Sequence, residues 1–182
     1  MAYSAEDFNL SKNQKAERKL LVTCVNMGDS IDKASGTPKW LPIGVGVEDS
    51  AVEYNPSVTT KTDIFGITDT EVEKIEPSQS LDPMTIRGGN PFLFKLNDII
   101  ERNAKSELSQ FEVMVIRAFV KEGTEAGGYH AEVHKNCTIY PTKQGGSGNV
   151  DMPVEIKYSN DKVLGTVNDY KHDSDITFTP NA

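Results

Sequence analysis

The sequence predicts a mainly β fold, an antiparallel β-sandwich or barrel with one flanking α-helix. Three observations favour this class. Short β-branched stretches with alternating apolar residues recur along the chain, Gly, Asn, Asp and Pro clusters separate them, and a single segment shows helical periodicity. At 182 residues the chain has the size of one domain with its own core, so we expect 1–182 to form a single domain.

The N-terminal part alternates loops with strand candidates. Residues 1–19 are polar and predict a loosely attached N-terminal arm or a short helix. An apolar run rich in Val and Thr predicts a strand at 20–26, and the turn-forming residues of 27–38 predict a loop. Apolar residues alternate over 40–47, which predicts a strand that Pro42 restricts to a sheet edge or a strand start.

Residues 48–66 predict a long hairpin made of short β pieces. Pro56 and the Thr-rich run that follows it disfavour a helix there. We expect a strand over 68–78, which Pro77 ends, and a turn at the Gly pair of 87–90.

The segment 91–108 carries the helix signal. Asn90 is placed to cap it, and Pro91 suits the first helical position. The residues at helical spacing on one face are Phe92, Leu93, Leu96, Ile99, Ile100 and Asn103.

The C-terminal half predicts a series of antiparallel strands. A β-branched apolar run predicts a central strand at 111–121, and alternation predicts strands at 129–141, 150–158 and 162–168. We expect the remaining residues, 169–182, to form a C-terminal arm.

The acidic balance limits the partners the chain is expected to bind. Its 19 Lys and Arg residues against 27 Asp and Glu give a formal charge of −8, which disfavours an electrostatic binder of nucleic acid or of a membrane surface. The window 48–76 holds eight acids against two cations. No apolar run reaches the roughly 18 residues of a membrane helix, and the N-terminus lacks a secretory pattern. We expect a soluble protein made in the cytoplasm.

No motif in the sequence indicates catalysis, a cofactor or a metal. His130, Glu132 and His134 would share one face of a strand, but same-face neighbours lie about 7 Å apart, so a solvated face is favoured over a metal site. Cys24 and Cys137 are too few for a four-cysteine zinc site, and although free thiols are expected, one disulfide stays open. We therefore expect a structural or interaction role rather than an enzyme.

The order of motifs over roughly 38–168 resembles the major tail (tail tube) proteins of long-tailed bacteriophages and prophages of low-GC Gram-positive hosts. No single motif is diagnostic, and the succession carries the resemblance. The motifs are WLPIGVG from Trp40, DIFG from Asp63, GNPFLFKL from Gly89, NCTIY from Asn136, the glycines 145, 146 and 148, the strand of 154–158, and LGT from Leu164.

The resemblance implies a structural virion protein that self-assembles. Subunits would form hexameric rings that stack into a hollow tail tube through which phage DNA is ejected, with the hairpin of 48–66 reaching between rings and the terminal arms locking them. The tape-measure protein and DNA would occupy the lumen without specific binding, and other tail proteins would bind the tube ends. The location would be the virion tail after synthesis in the host bacterial cytoplasm, with no membrane partner and no cofactor.

Particular residues follow from this resemblance as expectations. The acids that flank the hairpin are candidates for the lumen surface, which would repel phosphate, whereas Trp40 is equally compatible with a core position. The subunit-contact candidates are Trp40, Glu48, Asp49, Tyr54, Ile64 and Phe65, and the lumen candidates are Glu71, Glu73 and Glu76. The alternatives are a related tube-fold component (a tail terminator, a distal tail adaptor or a secretion-type tube protein) or a small β-fold binding module or enzyme.

Overall fold

The computed structural model describes residues 10–47, 50–121 and 128–181. The chain is 44% strand and 12% helical, and its antiparallel sheet curls into a half-barrel with one helix. The predicted fold class is therefore confirmed.

The described part of the chain contains eleven strands and one α-helix. The strands are β1 (Leu21–Asn26), β2 (Trp40–Ile43), β3 (Val52–Glu53), β4 (Pro56–Thr62), β5 (Thr68–Ile75), β6 (Ser78–Leu81), β7 (Phe111–Lys121), β8 (Tyr129–Pro141), β9 (Val154–Lys157), β10 (Lys162–Val167) and β11 (Phe178–Pro180). The helix α1 (Pro91–Glu101) lies between β6 and β7, and 3-10 turns span Arg18–Leu20 and Lys105–Ser109.

The long strand β8 organises the main sheet. In the described residues the sheet order is β2-β1-β7-β8-β9-β6-β3, and β10 pairs with both β8 and β11. The first half of β8 pairs with β10 and its second half with β9, so one strand edge serves two neighbours. Between these halves the register against β7 shifts, and Asn136 adopts a φ of 54°. Such a bulge bends a strand, which explains the curl of the sheet.

Alternation along the strands creates two cores. On one face, Phe92 and Leu96 of α1 belong to the same buried cluster as Val113 of β7 and Ile139 of β8. On the other face, Met114 of β7 belongs to a second buried cluster. That cluster consists of Cys24, Trp40, Met114, Ile116, Ala131, Val133, Val167 and Ile176. Because successive strand residues point to opposite faces, β1, β7 and β8 each supply both cores.

The helix is shorter than the predicted 91–108. Asn90 caps it as expected, since its Oδ1 accepts hydrogen bonds from the backbone N–H groups of Phe92 and Leu93 at 3.1 and 3.2 Å. The helix ends at Glu101 because Asn103 adopts a left-handed φ of 55°, which stops the α-helical hydrogen-bond pattern. Asn103, which the helical spacing placed on the apolar face, therefore lies just beyond the end of the helix.

Several strand boundaries differ from the predictions, and the strand expected over 68–78 ends at Ile75. The strand predicted over 40–47 ends at Ile43, because Gly44 and Gly46 have φ of +107° and +82° and form a turn. The strand predicted over 150–158 begins only at Val154, with Asp151 bridging to Gly145 instead. The predicted hairpin span of 48–66 contains only the first strand and the turn of the observed hairpin, whose second strand is β5.

The short strand β6 has no counterpart in the sequence predictions because three of its four residues are polar. Ser78 and Gln79 are nevertheless buried. Gln79 accepts hydrogen bonds from Thr23 and Tyr158 and donates one to Ser50, so a satisfied polar network replaces the apolar alternation that identifies most strands.

Candidate assembly surface

The hairpin of β4 and β5 forms a two-stranded sheet of its own. Its register runs from Pro56 opposite Ile75 to Thr62 opposite Thr68, and it pairs with no other strand of the described residues. Every residue of β5 is exposed. A two-stranded hairpin is at best marginally stable by itself in water, and no other strand of the described residues pairs with this one.

The two faces of the hairpin have different chemistry. The residues that alternate onto one face are Val58, Thr60, Thr62, Thr68, Thr70 and Val72. This face carries no charge, and cross-strand pairs of threonine hydroxyls lie close on it, at 3.4 Å for Thr60 and Thr70 and 3.3 Å for Thr62 and Thr68. We call it the uncharged face.

The opposite face carries charged side chains. Lys61 lies opposite Asp69, and Thr59 lies opposite Glu71. The Lys61 Nζ is 3.8 Å from a carboxylate oxygen of Glu71, a diagonal contact that places both residues on the same side of the hairpin. We call it the charged face.

The turn of the hairpin exposes three apolar side chains. The carboxylate of Asp63 accepts hydrogen bonds from the backbone N–H groups of Phe65 and Ile67 at 2.9 and 2.8 Å, which fixes the turn. Ile64 is 94% exposed, Phe65 81% and Ile67 67%. A contiguous apolar tip of this kind is typical of a surface that a partner covers.

The three lumen candidates occupy different positions in the hairpin. Glu71 lies on the charged face, and Glu73 is the extra residue at the register shift. Glu76 follows β5 and forms an ion pair with Lys74, whose Nζ lies 2.8 Å from its carboxylate. All three are exposed, and all three lie on or directly after the second strand of the hairpin.

A cleft of about 380 Å³ lies between the root of the hairpin and the main sheet. Tyr54 and Ile75 line it on the hairpin side. The sheet side holds a charged cluster of Arg117, Glu132 and Lys162. The guanidinium of Arg117 also contacts the Tyr54 hydroxyl at 3.4 Å, so the cluster connects the sheet to the hairpin root.

The charged cluster is centred on a buried carboxylate. The Glu132 side chain is 8% exposed, and it accepts contacts from Arg117 at 2.6 Å, Lys162 at 3.1 Å and the His134 Nε2 at 3.4 Å. Burial alone would raise the pKa of Glu132, but hydrogen bonds from His134 and Arg117 and the attraction of Arg117 and Lys162 outweigh it and lower the pKa.

The solvated face predicted for His130, Glu132 and His134 is wrong, because all three residues are buried. Glu132 and His134 do lie together, yet Glu132 is held by two cations from the neighbouring strands β7 and β10. The His134 ring is also held, because its Nδ1 lies 2.7 Å from the Ser159 carbonyl oxygen. Within the described residues, no group of three His, Cys, Asp or Glu side chains is placed to hold a metal ion.

The subunit-contact candidates fall into three groups. Tyr54, Ile64 and Phe65 are exposed at the root and tip of the hairpin. Trp40 is 6% exposed and packs edge-on against Phe178 with ring centroids 6.4 Å apart, so it occupies the core position that the sequence left open. Glu48 and Asp49 lie outside the described residues.

Both cysteines are free and buried, on opposite faces of the sheet. Cys24 belongs to the second core and Cys137 to the core under α1. Burial raises the pKa of the Cys137 thiol to about 11 and also raises that of Cys24. The disulfide left open by the sequence does not form between them.

Sequence reasoning missed Arg117, Lys162 and Ile67. Arg117 sits inside the apolar pattern of β7, so its position as a charge among buried residues is the signal that could have indicated a buried partner. Ile67 follows the glycine of the turn, and the hairpin boundary placed too early excluded it.

Several strand edges also remain open in the described part of the chain. The strands β2 and β3 end the order of the main sheet, and β11 pairs only with β10. Both outer edges of the hairpin lack a neighbouring strand there as well. Open edges expose backbone N–H and C=O groups that can pair with another chain.

No protein-family model and no curated protein matches the sequence. Among solved structures, the chain is similar to the sheath-tube complex of the extracellular contractile injection system PVC, with 10% identity over 85% of this chain and 94% of that one and a TM-score of 0.46. A sheath/tube terminator of PVC has 11% identity over 85% and 99% and a TM-score of 0.47. The tube-terminating cap of the anti-feeding prophage has 14% identity over 91% and 99% and a TM-score of 0.46. Identities and TM-scores of this size do not assign a function. Separately, none of the described helices is long and apolar enough to span a membrane.

Proposed function

We propose that this chain is a structural subunit that assembles with copies of itself into stacked hexameric rings, forming the hollow tail tube through which phage DNA is ejected. The observation that carries the proposal is the exposed hairpin of β4 and β5 with its apolar tip. Among the described residues no other strand pairs with this element and every residue of β5 is exposed, and a neighbouring copy would supply a packing partner.

Open strand edges support assembly through the sheet. Natural proteins usually protect such edges, because they template pairing with other chains. In a ring the edges of β2 or β11 would pair with a neighbouring copy. A closed ring repeats one head-to-tail contact of this kind, so the edges that form the contact are paired in every subunit.

The charge supports a lumen through which DNA passes without binding. With a formal charge of −8 per chain, a ring of six copies is strongly acidic. An acidic wall repels phosphate, so DNA would move along it without being held. We propose Glu71, Glu73 and Glu76 as candidates for this wall, with the tape-measure protein and DNA as lumen occupants and other tail proteins at the tube ends.

We propose no catalytic role for the buried polar residues. The carboxylate of Glu132 is neutralised by Arg117 and Lys162, which suits a structural ion cluster better than a general acid or base near neutral pH. The same proposal places the protein in the virion tail after its synthesis in the host bacterial cytoplasm.

A related tube-fold component is the second candidate. A tail terminator, a distal tail adaptor or a secretion-type tube protein would use the same exposed hairpin and open edges. Such a protein would form single rings or short end structures rather than long tubes. A small β-fold binding module or enzyme would leave the hairpin without a self-partner.

Electron microscopy of the purified chain over a range of concentrations tests the proposal. We expect sixfold rings that stack into hollow tubes as the concentration rises. A matched variant in which a two-residue Asn-Gly turn replaces residues 57–74 should stay folded and fail to stack. Rings that never stack would favour the end component, and a monomer under all conditions would contradict both candidates.

A further inference from the structure

We infer that the hairpin binds a second copy of the chain through its uncharged face and keeps its charged face in water. The inference rests on the proposed self-assembly and adds its orientation. It identifies which side of the hairpin is covered and which of its acids stay solvated.

The uncharged face is long, continuous and exposed. It extends along the whole hairpin through Val58, Thr60, Thr70 and Val72, all of which are exposed. The threonine hydroxyls lie close enough to pair with one another across the two strands. Burying this face therefore leaves few polar groups without a hydrogen-bond partner. A β-branched strip of this composition packs well on the surface of another sheet.

The uncharged face also continues into the cleft at the hairpin root. Pro56 and Ile75 pair with each other and follow the same alternation as Val58. Ile75 lines the cleft together with Tyr54 and Pro77. A partner that covers the uncharged face would therefore meet one concave surface made of the hairpin and the cleft.

The charged face is poorly suited to burial. On the charged face Lys61 lies opposite Asp69 and 3.8 Å from Glu71, a distance typical of a loose, solvated pair. Covering this face would leave one carboxylate without a charge partner, which is strongly unfavourable. Asp69 and Glu71 are therefore the hairpin acids that stay in water. In a tube, the water-filled space that these acids would face is the lumen.

The area of the uncharged face argues for repeated copies as the occupant. Seven residues at about 3.3 Å each and a width of roughly 10 Å give a strip of about 230 Å². A stable one-to-one complex needs about 800 Å² per partner. In a ring or stack each subunit both donates and accepts a hairpin, so several such contacts add within one assembly.

Two neighbouring threonines provide a matched test. Thr60→Lys places a charge on the uncharged face, whereas Thr59→Lys places the same charge opposite Glu71 on the charged face. Sedimentation of both variants beside the unmodified chain should show assembly lost or weakened at least tenfold in concentration for Thr60→Lys. Thr59→Lys should assemble like the unmodified chain.

A labelling experiment tests the same orientation without an added charge, because Thr60→Lys could change the structure of the hairpin as well as its binding. Cys24 and Cys137 are fully buried, so an added cysteine would be the accessible thiol among the described residues. After assembly, a maleimide probe should label Thr59→Cys and fail to label Thr60→Cys, while both react in the dissociated subunit.

The outcomes separate the inference from the proposed function. If the unmodified chain fails to assemble, the proposed function falls. If the unmodified chain assembles but Thr59→Lys blocks assembly and Thr60→Lys does not, or if Thr60→Cys stays fully reactive in the assembly, the orientation inferred here is wrong while the proposed function stands.

Discussion

The β7–β8 pair and the β4–β5 hairpin are both antiparallel, yet they differ in what surrounds them. In β7 and β8 both faces are covered, and even a carboxylate such as Glu132 is buried with its partners. In the hairpin most residues of both faces are exposed, and apolar residues such as Ile64 in the turn project into solvent. The comparison teaches that strand pairing alone does not make a stable unit, because burial of the faces supplies most of the stabilisation.

The largest expected difference comes from removing an isoleucine from each region. Ile116→Ala should lower the free energy of unfolding by about 2–5 kcal/mol, because it leaves a cavity in a fully buried site. Ile64→Ala should change it by less than about 0.5 kcal/mol, because that side chain is 94% exposed. Denaturant unfolding of the dissociated subunit measures both, and equal losses would show that the tip is packed in the single chain.

Removing one cation from each region should give the next largest difference. Arg117→Met leaves Glu132 buried with an incomplete set of partners and should cost about 3 kcal/mol. Lys61→Met removes an exposed contact and should cost less than about 0.5 kcal/mol. Thermal unfolding of the two variants at neutral pH makes the comparison, and a mild effect of Arg117→Met would mean that Lys162 and His134 suffice.

The acid dependence of stability should also come from the sheet cluster. The pKa of Glu132 is lowered on folding, so its contribution is fully present above its unfolded pKa of about 4.3 and is lost as the pH falls below that value. Glu132→Gln should therefore lose less stability between pH 6 and pH 3 than the unmodified chain. Identical slopes for the two proteins would contradict the assigned cluster.

The smallest pair compares two side chains that accept backbone hydrogen bonds. Asn90 caps α1, and Asn90→Ala should cost about 1 kcal/mol of global stability. Asp63 accepts two backbone hydrogen bonds in the hairpin turn. Asp63→Ala should leave global unfolding nearly unchanged, because the hairpin can open without unfolding the sheet. An equal loss in both variants, measured by denaturant titration, would show that the hairpin unfolds with the body.

Local patterns predicted the parts of the fold that bury apolar surface. The strands near 111–121 and 129–141 and the start of α1 follow from alternation and capping, and the structure confirms them. Predictions failed where one residue decides the geometry. Asn103 ends the helix through a left-handed φ, and the glycines after Ile43 end β2, although neither event changes the apolar pattern.

The candidate surface was harder to predict than the fold. The sequence indicated a hairpin, and the resemblance indicated Ile64 and Phe65 as contact candidates. The pairing that separates the uncharged face from the charged face needs the register of β4 against β5. The cluster around Glu132 brings together Arg117 and Lys162 from two other strands, and no local spacing encodes such a contact.

Hydrogen exchange of the hairpin amides, compared between the dissociated subunit and the assembled protein, tests the central claim most directly. We expect amides of β4 and β5 to exchange rapidly in the subunit and to become protected on assembly, while the amides of β7 and β8 are protected in both states. Hairpin amides that exchange equally fast in the subunit and in the assembly would contradict the claim that this element binds a second copy.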